Sequence, residues 1–164
     1  MNPKMHVNMR ATNFARRSFL SLAAGLIPAA AKVTGEEVLY VGGTITKLPE
    51  ATEGGMDIRN DEKLVFSSEK GGFEIPYKSI KTLEYGQKAG RRVGVAIVIT
   101  VWALFSKKRK HFLTIGFDDA DGKPQGVVLE IAKGRAKTFI AILEARSGKK
   151  VEYESDEAKK HVHG

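Results

Sequence analysis

The sequence predicts a mainly β domain, a β-rich α+β arrangement in which one late helix covers a curled antiparallel sheet. Two observations predict it. Between residues 37 and 132, short β-branched and aromatic runs are punctuated by Gly, Pro, Asn and Asp turn signals. From residue 133 the apolar period changes, with Ala136, Phe139, Ile140 and Leu143 at i, i+3, i+4 and i+7. A sheet with one apolar face needs a cover, and a single helix supplies one.

The elements follow in order. EVLYVGGTIT (37–46) reads as a strand whose Gly42-Gly43 pair marks a bulge. LPEATEGG (48–55) reads as a loop by composition. MDIRN (56–60) and KLVFSS (63–68) form a hairpin about Asp61-Glu62. EKGG turns the chain into FEIPY (73–77), where Pro76 fits a strand end or an edge. SIKTLEYG (79–86) offers Ile80, Leu83 and Tyr85 as inward residues. HFLTIGF (111–117) carries Leu113, Ile115 and Phe117 on one face, the pattern of a half-buried strand. Asp121-Gly122 turns it into GVVLEIA (126–132). The helix over 133–148 ends with Arg146 in its last turn and Gly148 just beyond. KKVEYE (149–154) adds a short final strand, and 155–164 reads as a flexible polar tail.

Residues 1–31 read as an export signal. A basic, acid-free leader precedes the short apolar run Ser18–Ile27, and Pro28-Ala29-Ala30-Ala31 closes it with small residues of the A-x-A type, with Ala29 and Ala31 at the cleavage positions. Arg16-Arg17, one spacer and Phe19-Leu20 resemble the twin-arginine motif, although Ala15 and Ser21 stand where that motif prefers Ser or Thr and Lys. A general secretory signal with two adjacent arginines is the alternative. No cysteine occurs anywhere, which removes disulfides, a lipoprotein anchor and thiol catalysis.

The net charge of +8 is unevenly spread. The leader supplies +4, and the remaining 133 residues carry 23 basic and 19 acidic groups. Seven cations and no acid lie between Lys88 and Lys110, so everything else after the leader sums to −3. The basicity is a local cluster on a mildly acidic body, and nucleic acid is not expected as a partner, because aromatic residues are not interleaved with the cations.

That cluster brackets the apolar run Val93–Phe105, flanked by Arg91-Arg92 and Lys107-Lys108-Arg109-Lys110. Thirteen residues make roughly 20 Å of helix, short of a hydrocarbon core of about 30 Å. Cations at both ends also oppose a crossing, so no transmembrane span is expected after the leader. Two readings remain. In one, the run is covered on all sides as a core element, with β-branched content favouring strand and length favouring helix. In the other, Lys88, Arg91, Arg92, Trp102, Lys107, Lys108, Arg109 and Lys110 contact an anionic lipid surface or a protein partner.

Catalytic and metal motifs fail on spacing. DDADG lacks the acid or amide at Phe117 and the Glu at Val128 that a calcium loop requires. GQKAGRR has neither the glycine spacing nor the Lys-Ser/Thr of a phosphate loop. His161 and His163 supply two ligands without a third, and His111 reads as a boundary residue beside a basic run. No catalytic residue, metal or cofactor is expected.

With these elements placed, the chain resembles bacterial pleckstrin-homology-like domains of the GRAM-related kind. FEIPYKSIKTLEYG, KKRKHFLTIGFDDADGKPQGVVLEI and the helix ending LEARSGKKVEY carry the resemblance, which covers most of 37–154. It implies a strongly bent antiparallel barrel of about seven strands capped by a C-terminal helix, and a non-enzymatic binding or scaffold module. The leader and the apolar run depart from the family pattern. The expected organisation is a signal peptide (1–31), a domain (32–154) and a tail (155–164), exported to the periplasm or medium and peripheral on a membrane.

Overall fold

Alternating burial shows where the chain becomes strand. In Lys63–Ser68 (β3) Leu64, Phe66 and Ser68 are buried and their neighbours are not, and in Gly71–Pro76 (β4) Phe73 and Ile75 are buried between exposed Gly72, Glu74 and Pro76. The computed structural model describes residues 33, 35–87, 110–132 and 134–164. Its other strands are Glu36–Gly43 (β1), Thr52–Asp57 (β2), Ile80–Gly86 (β5), Phe112–Asp118 (β6), Pro124–Ile131 (β7) and Val151–Tyr153 (β8). A 3-10 turn at Tyr77–Ser79 links β4 to β5.

The eight strands form one curled sheet in the order β4-β3-β2-β1-β7-β6-β5-β8. All pairings are antiparallel except β5 with β8. The β1–β7 register slips between Tyr40 and Gly42, the bulge expected from the paired glycines. A side chain at Gly43 would collide with the Gly126 carbonyl, so two backbones approach there as only glycine permits. Pro76 ends β4, an edge strand, where its missing N–H costs no ladder bond. Glycine composition misled at β2. Gly54 and Gly55 belong to the strand rather than to a loop, and a side chain on Gly54 would strike the Phe66 ring.

The concave face holds the core. Tyr40, Phe66 and Phe73 pack together, with Phe66 and Phe73 stacked at 5.0 Å. Ile80, Leu83, Tyr85, Leu113, Ile115 and Leu129 continue it. Helix Ala136–Ser147 (α1) covers this face with Ala136, Phe139, Ile140 and Leu143, the four positions its period predicts. Gly148 stops it in the left-handed region, φ 69°.

The C-terminus differs from expectation. Residues 155–164 are not a frayed tail: Asp156–His163 form a second helix (α2). The Ser155 hydroxyl accepts from Ala158 N at 3.1 Å, an N-cap, and Ala158 and Val162 are buried in the core cluster. Strand β6 differs too. It is buried on both faces, because Phe112 and Thr114 are as inaccessible as Leu113 and Ile115.

Candidate functional site

The chain leaves the barrel and returns to it at one point. Gly86, the last residue of β5, is paired directly with Phe112, the first of β6. Residues 87–111 therefore connect adjacent strands whose ends are held in register. Of the cations predicted to meet an anionic surface, Lys110 is the one inside the described residues. Its Nζ lies 2.8 Å from Glu130 Oε2 on β7, so its charge is shared with the sheet. Lys88, Arg91, Arg92, Trp102, Lys107, Lys108 and Arg109 lie outside the described residues, as do Arg16, Arg17, Phe19, Leu20, Ala29 and Ala31.

Beside this exit, four segments bring their rings together. Tyr85 comes from β5, His111 from the residue before β6, Tyr153 from β8, and His161 and His163 from α2. The His111 and His161 rings stack at 4.0 Å with 16° between their planes. Tyr85 stacks on His111 at 5.7 Å and on His161 at 6.1 Å. The Tyr85 hydroxyl lies 3.0 Å from His161 Nδ1, and the Tyr153 hydroxyl 3.0 Å from His163 Nε2. The backbone supports this arrangement. Glu154 N donates to Tyr85 O at 3.0 Å, and a side chain on Gly86 would collide with that of Glu154.

Burial sets the electrostatics. It pushes the Tyr85 phenol up to about 12, with Tyr153 adding to the effect. Tyr85 thus keeps its proton, and its hydroxyl can donate a hydrogen bond to His161 Nδ1 in the tautomer that leaves this nitrogen without a proton. Burial also lowers the His111 pKa, and the neighbouring His161 lowers it further; Glu157 and Glu154 oppose both. His111 Nε2 is buried without a hydrogen-bond partner. Such an atom is better tolerated on a neutral ring than on a cation.

Sequence reading separated His111 from the HVH pair and saw neither tyrosine as a partner. The joining signal was weak but present. Ser155 followed by Asp156 and Glu157 is a helix start, and it places Ala158 and Val162 one turn apart with His161 beside them. Among the described residues no group of three His, Asp or Glu side chains is placed to hold a metal ion. The acidic turn that invited a calcium reading is occupied internally: Asp119 accepts from the N–H groups of Asp121 and Lys123 and from Gln125 Nε2. No helix among the described residues is long and apolar enough to cross a membrane.

A second feature lies on the convex face. Phe112, Thr114 and Val128 are 3%, 1% and 0% exposed. They alternate with the inward Leu113, Ile115 and Leu129, and neither Phe112 nor Val128 belongs to the barrel's core cluster. The Thr114 hydroxyl is buried without a partner. A groove of about 520 Å³ elsewhere is lined by Glu37, Glu53 and Glu69 with Lys70, a poor seat for an anion. Compared with known proteins, the chain matches no family model, no curated protein and no solved structure.

Proposed function

We propose that this chain is an exported, non-enzymatic binding module of the pleckstrin-homology-like kind that contacts an anionic surface, a membrane or an acidic protein partner, through residues 88–111. The Gly86–Phe112 pairing carries the reading. Arg91-Arg92 follow Gly86 by five and six residues, and Lys107–Lys110 precede Phe112 by two to five. Both basic clusters are thereby tethered to one rim of the barrel, each within about 20 Å of it at full extension. Clustered cations beside an apolar run gain roughly 1 kcal/mol each near an anionic lipid surface. Trp102 is suited to the interface. The strand order β4-β3-β2-β1-β7-β6-β5, followed by a covering helix, supports the pleckstrin-homology-like part of the reading.

Co-sedimentation of residues 32–164 with vesicles of mixed phosphatidylglycerol and phosphatidylcholine tests it. Binding is expected at low salt, falling at least about tenfold when Arg91, Arg92 and Lys107–Lys110 are neutralised, because the screened charge term is removed. Binding that survives neutralisation, or no binding at low salt, sinks the lipid reading.

The buried convex face favours a second reading, in which the apolar run 93–105 is internal and the module is structural or binds protein. Trp102 is the sole tryptophan, so its fluorescence separates the two. Emission that is already blue and shielded from acrylamide without vesicles supports the internal run. A blue shift on adding anionic vesicles supports the surface reading.

A further inference from the structure

Helix α2 is held to the barrel by few groups. Ala158 and Val162 enter the core, and His161 lies against His111 and Tyr85. The polar part of that contact includes the hydroxyls of Tyr85 and Tyr153 against His161 and His163, and a face-to-face imidazole pair with one ring on each side of the joint. We propose that His111 and His161 form a pH-operated latch that keeps α2 docked while at most one ring is charged and releases it on mild acidification.

The geometry gives the reason. Two imidazolium rings 4.0 Å apart repel across a half-buried contact. A cationic His111 carries an N–H on both ring nitrogens, so it necessarily places a donor at Nε2, where the structure has no acceptor. The groups around the pair are Tyr85 from β5, Tyr153 and Glu154 from the β8 segment, Glu157 and His163 from α2, and Lys110, two residues before β6, with Glu130 on β7. Glu157 and Glu154 favour charge on His111, but burial and His161 outweigh them and its pKa is lowered. Tyr85 stays a neutral phenol throughout the range. Lys110 and Glu130 pair with each other and offset their charges.

The direction follows from linkage. In the undocked chain His111 returns to the ordinary imidazole value of about 6.5. The docked state then binds fewer protons below that pH, so docking is complete above it and weakens as pH falls through it, by up to about tenfold per pH unit for each proton. The latch concerns α2 alone and does not depend on the anionic surface of the proposed function.

NMR of the full chain from pH 8 to pH 5 tests it. Two signatures are expected to change together below about pH 6.5. The ring-current shifts of the His111 and His161 ring protons collapse, and amide protection over residues 158–163, corrected for intrinsic exchange, falls by about tenfold per pH unit. His111→Phe preserves a stacked ring that cannot charge and is expected to keep α2 protected down to pH 5. Should that variant fold poorly, His161→Gln retains an acceptor for Tyr85 and removes the repelling ring while His111 stays buried, so it is expected to show weaker docking with a shallower pH dependence than the wild type. Wild-type protection unchanged at pH 5 overturns the proposal, as does an acid release of the same steepness in whichever variant folds.

Discussion

Arg146 ties the end of α1 to the far side of the molecule. Its Nη1 donates to the Ile58 carbonyl, to the Asn60 carbonyl at 3.0 Å and to the Tyr77 hydroxyl at 3.2 Å. Its Nη2 lies 2.6 Å from Asp61, and the guanidinium sits 5.3 Å over the Tyr77 ring. One planar fork thus closes the β2–β3 turn against the helix. Its side chain is 24% exposed, so these bonds are only partly in competition with water. Arg146→Ala should lower the unfolding free energy by about 2 kcal/mol in urea titrations, the scale of several hydrogen bonds to a charged group. Arg146→Lys should recover less than half, because an ammonium cannot meet carbonyls, phenol and carboxylate in that fork geometry. A loss below about 0.5 kcal/mol for the alanine variant, the size of an ordinary surface change, would mean that the fork contributes nothing. The sequence marked Arg146 only as a cation near a helix end. Its partners lie 69 to 88 positions away, and no local pattern records them.

Legibility followed the range of the interaction at the scale of elements as well. Strand β3 and helix α1 were readable because burial repeats at the period of their own sequence: Leu64 and Phe66 in one, Ala136, Phe139, Ile140 and Leu143 in the other. The Gly42-Gly43 bulge and the Gly148 stop were readable because each needs a property that glycine alone supplies. The start of β2 was missed because Gly54 and Gly55 look like loop, whereas the absence of a side chain on Gly54 admits the Phe66 ring; Met56 and Asp57 do pair with KLVFSS as the expected hairpin. Helix α2 was missed because eight residues, six of them polar, are marginal as an isolated helix, and its stability comes from docking Ala158, Val162 and His161. That dependence makes its cap measurable. Ser155→Ala removes the side-chain acceptor for Ala158 N and should weaken the docked helix by about 1 kcal/mol. Amides of 158–163 should then exchange about fivefold faster at pH 7.5, where His111 is neutral, with the β-sheet core unchanged. Equal acceleration in β6 and β7 would instead show that α2 and the sheet open as one unit.

The described residues form an eight-stranded sheet that curls around its core as a half-barrel, with a 25-residue connection between two paired strand ends. Whether that connection is an appendage or part of the fold decides between the two functional readings, and its thermodynamic sign differs between them. Replacing 88–109 by Asn-Gly leaves a five-residue loop: Gln87, the two inserted residues, Lys110 and His111. That length is compatible with the antiparallel Gly86–Phe112 pair. If the segment is an appendage, shortening the closed loop from 25 to five residues reduces closure entropy and stabilises the chain by about 1 kcal/mol. If the segment covers the convex face, Phe112 and Val128 lose their cover at about 1.5 to 3 kcal/mol each, and the net change is a loss of several kcal/mol. The proposed function predicts the first outcome: a folded chain with an equal or higher midpoint in urea, lacking most of its basic excess and failing to sediment with anionic vesicles. A chain that precipitates or unfolds at markedly lower urea assigns 93–105 to the core and leaves the cations at the rim as the only part of the segment facing a partner. Retained vesicle binding in a stable, loop-shortened chain would reject both assignments and place the contact elsewhere on the barrel.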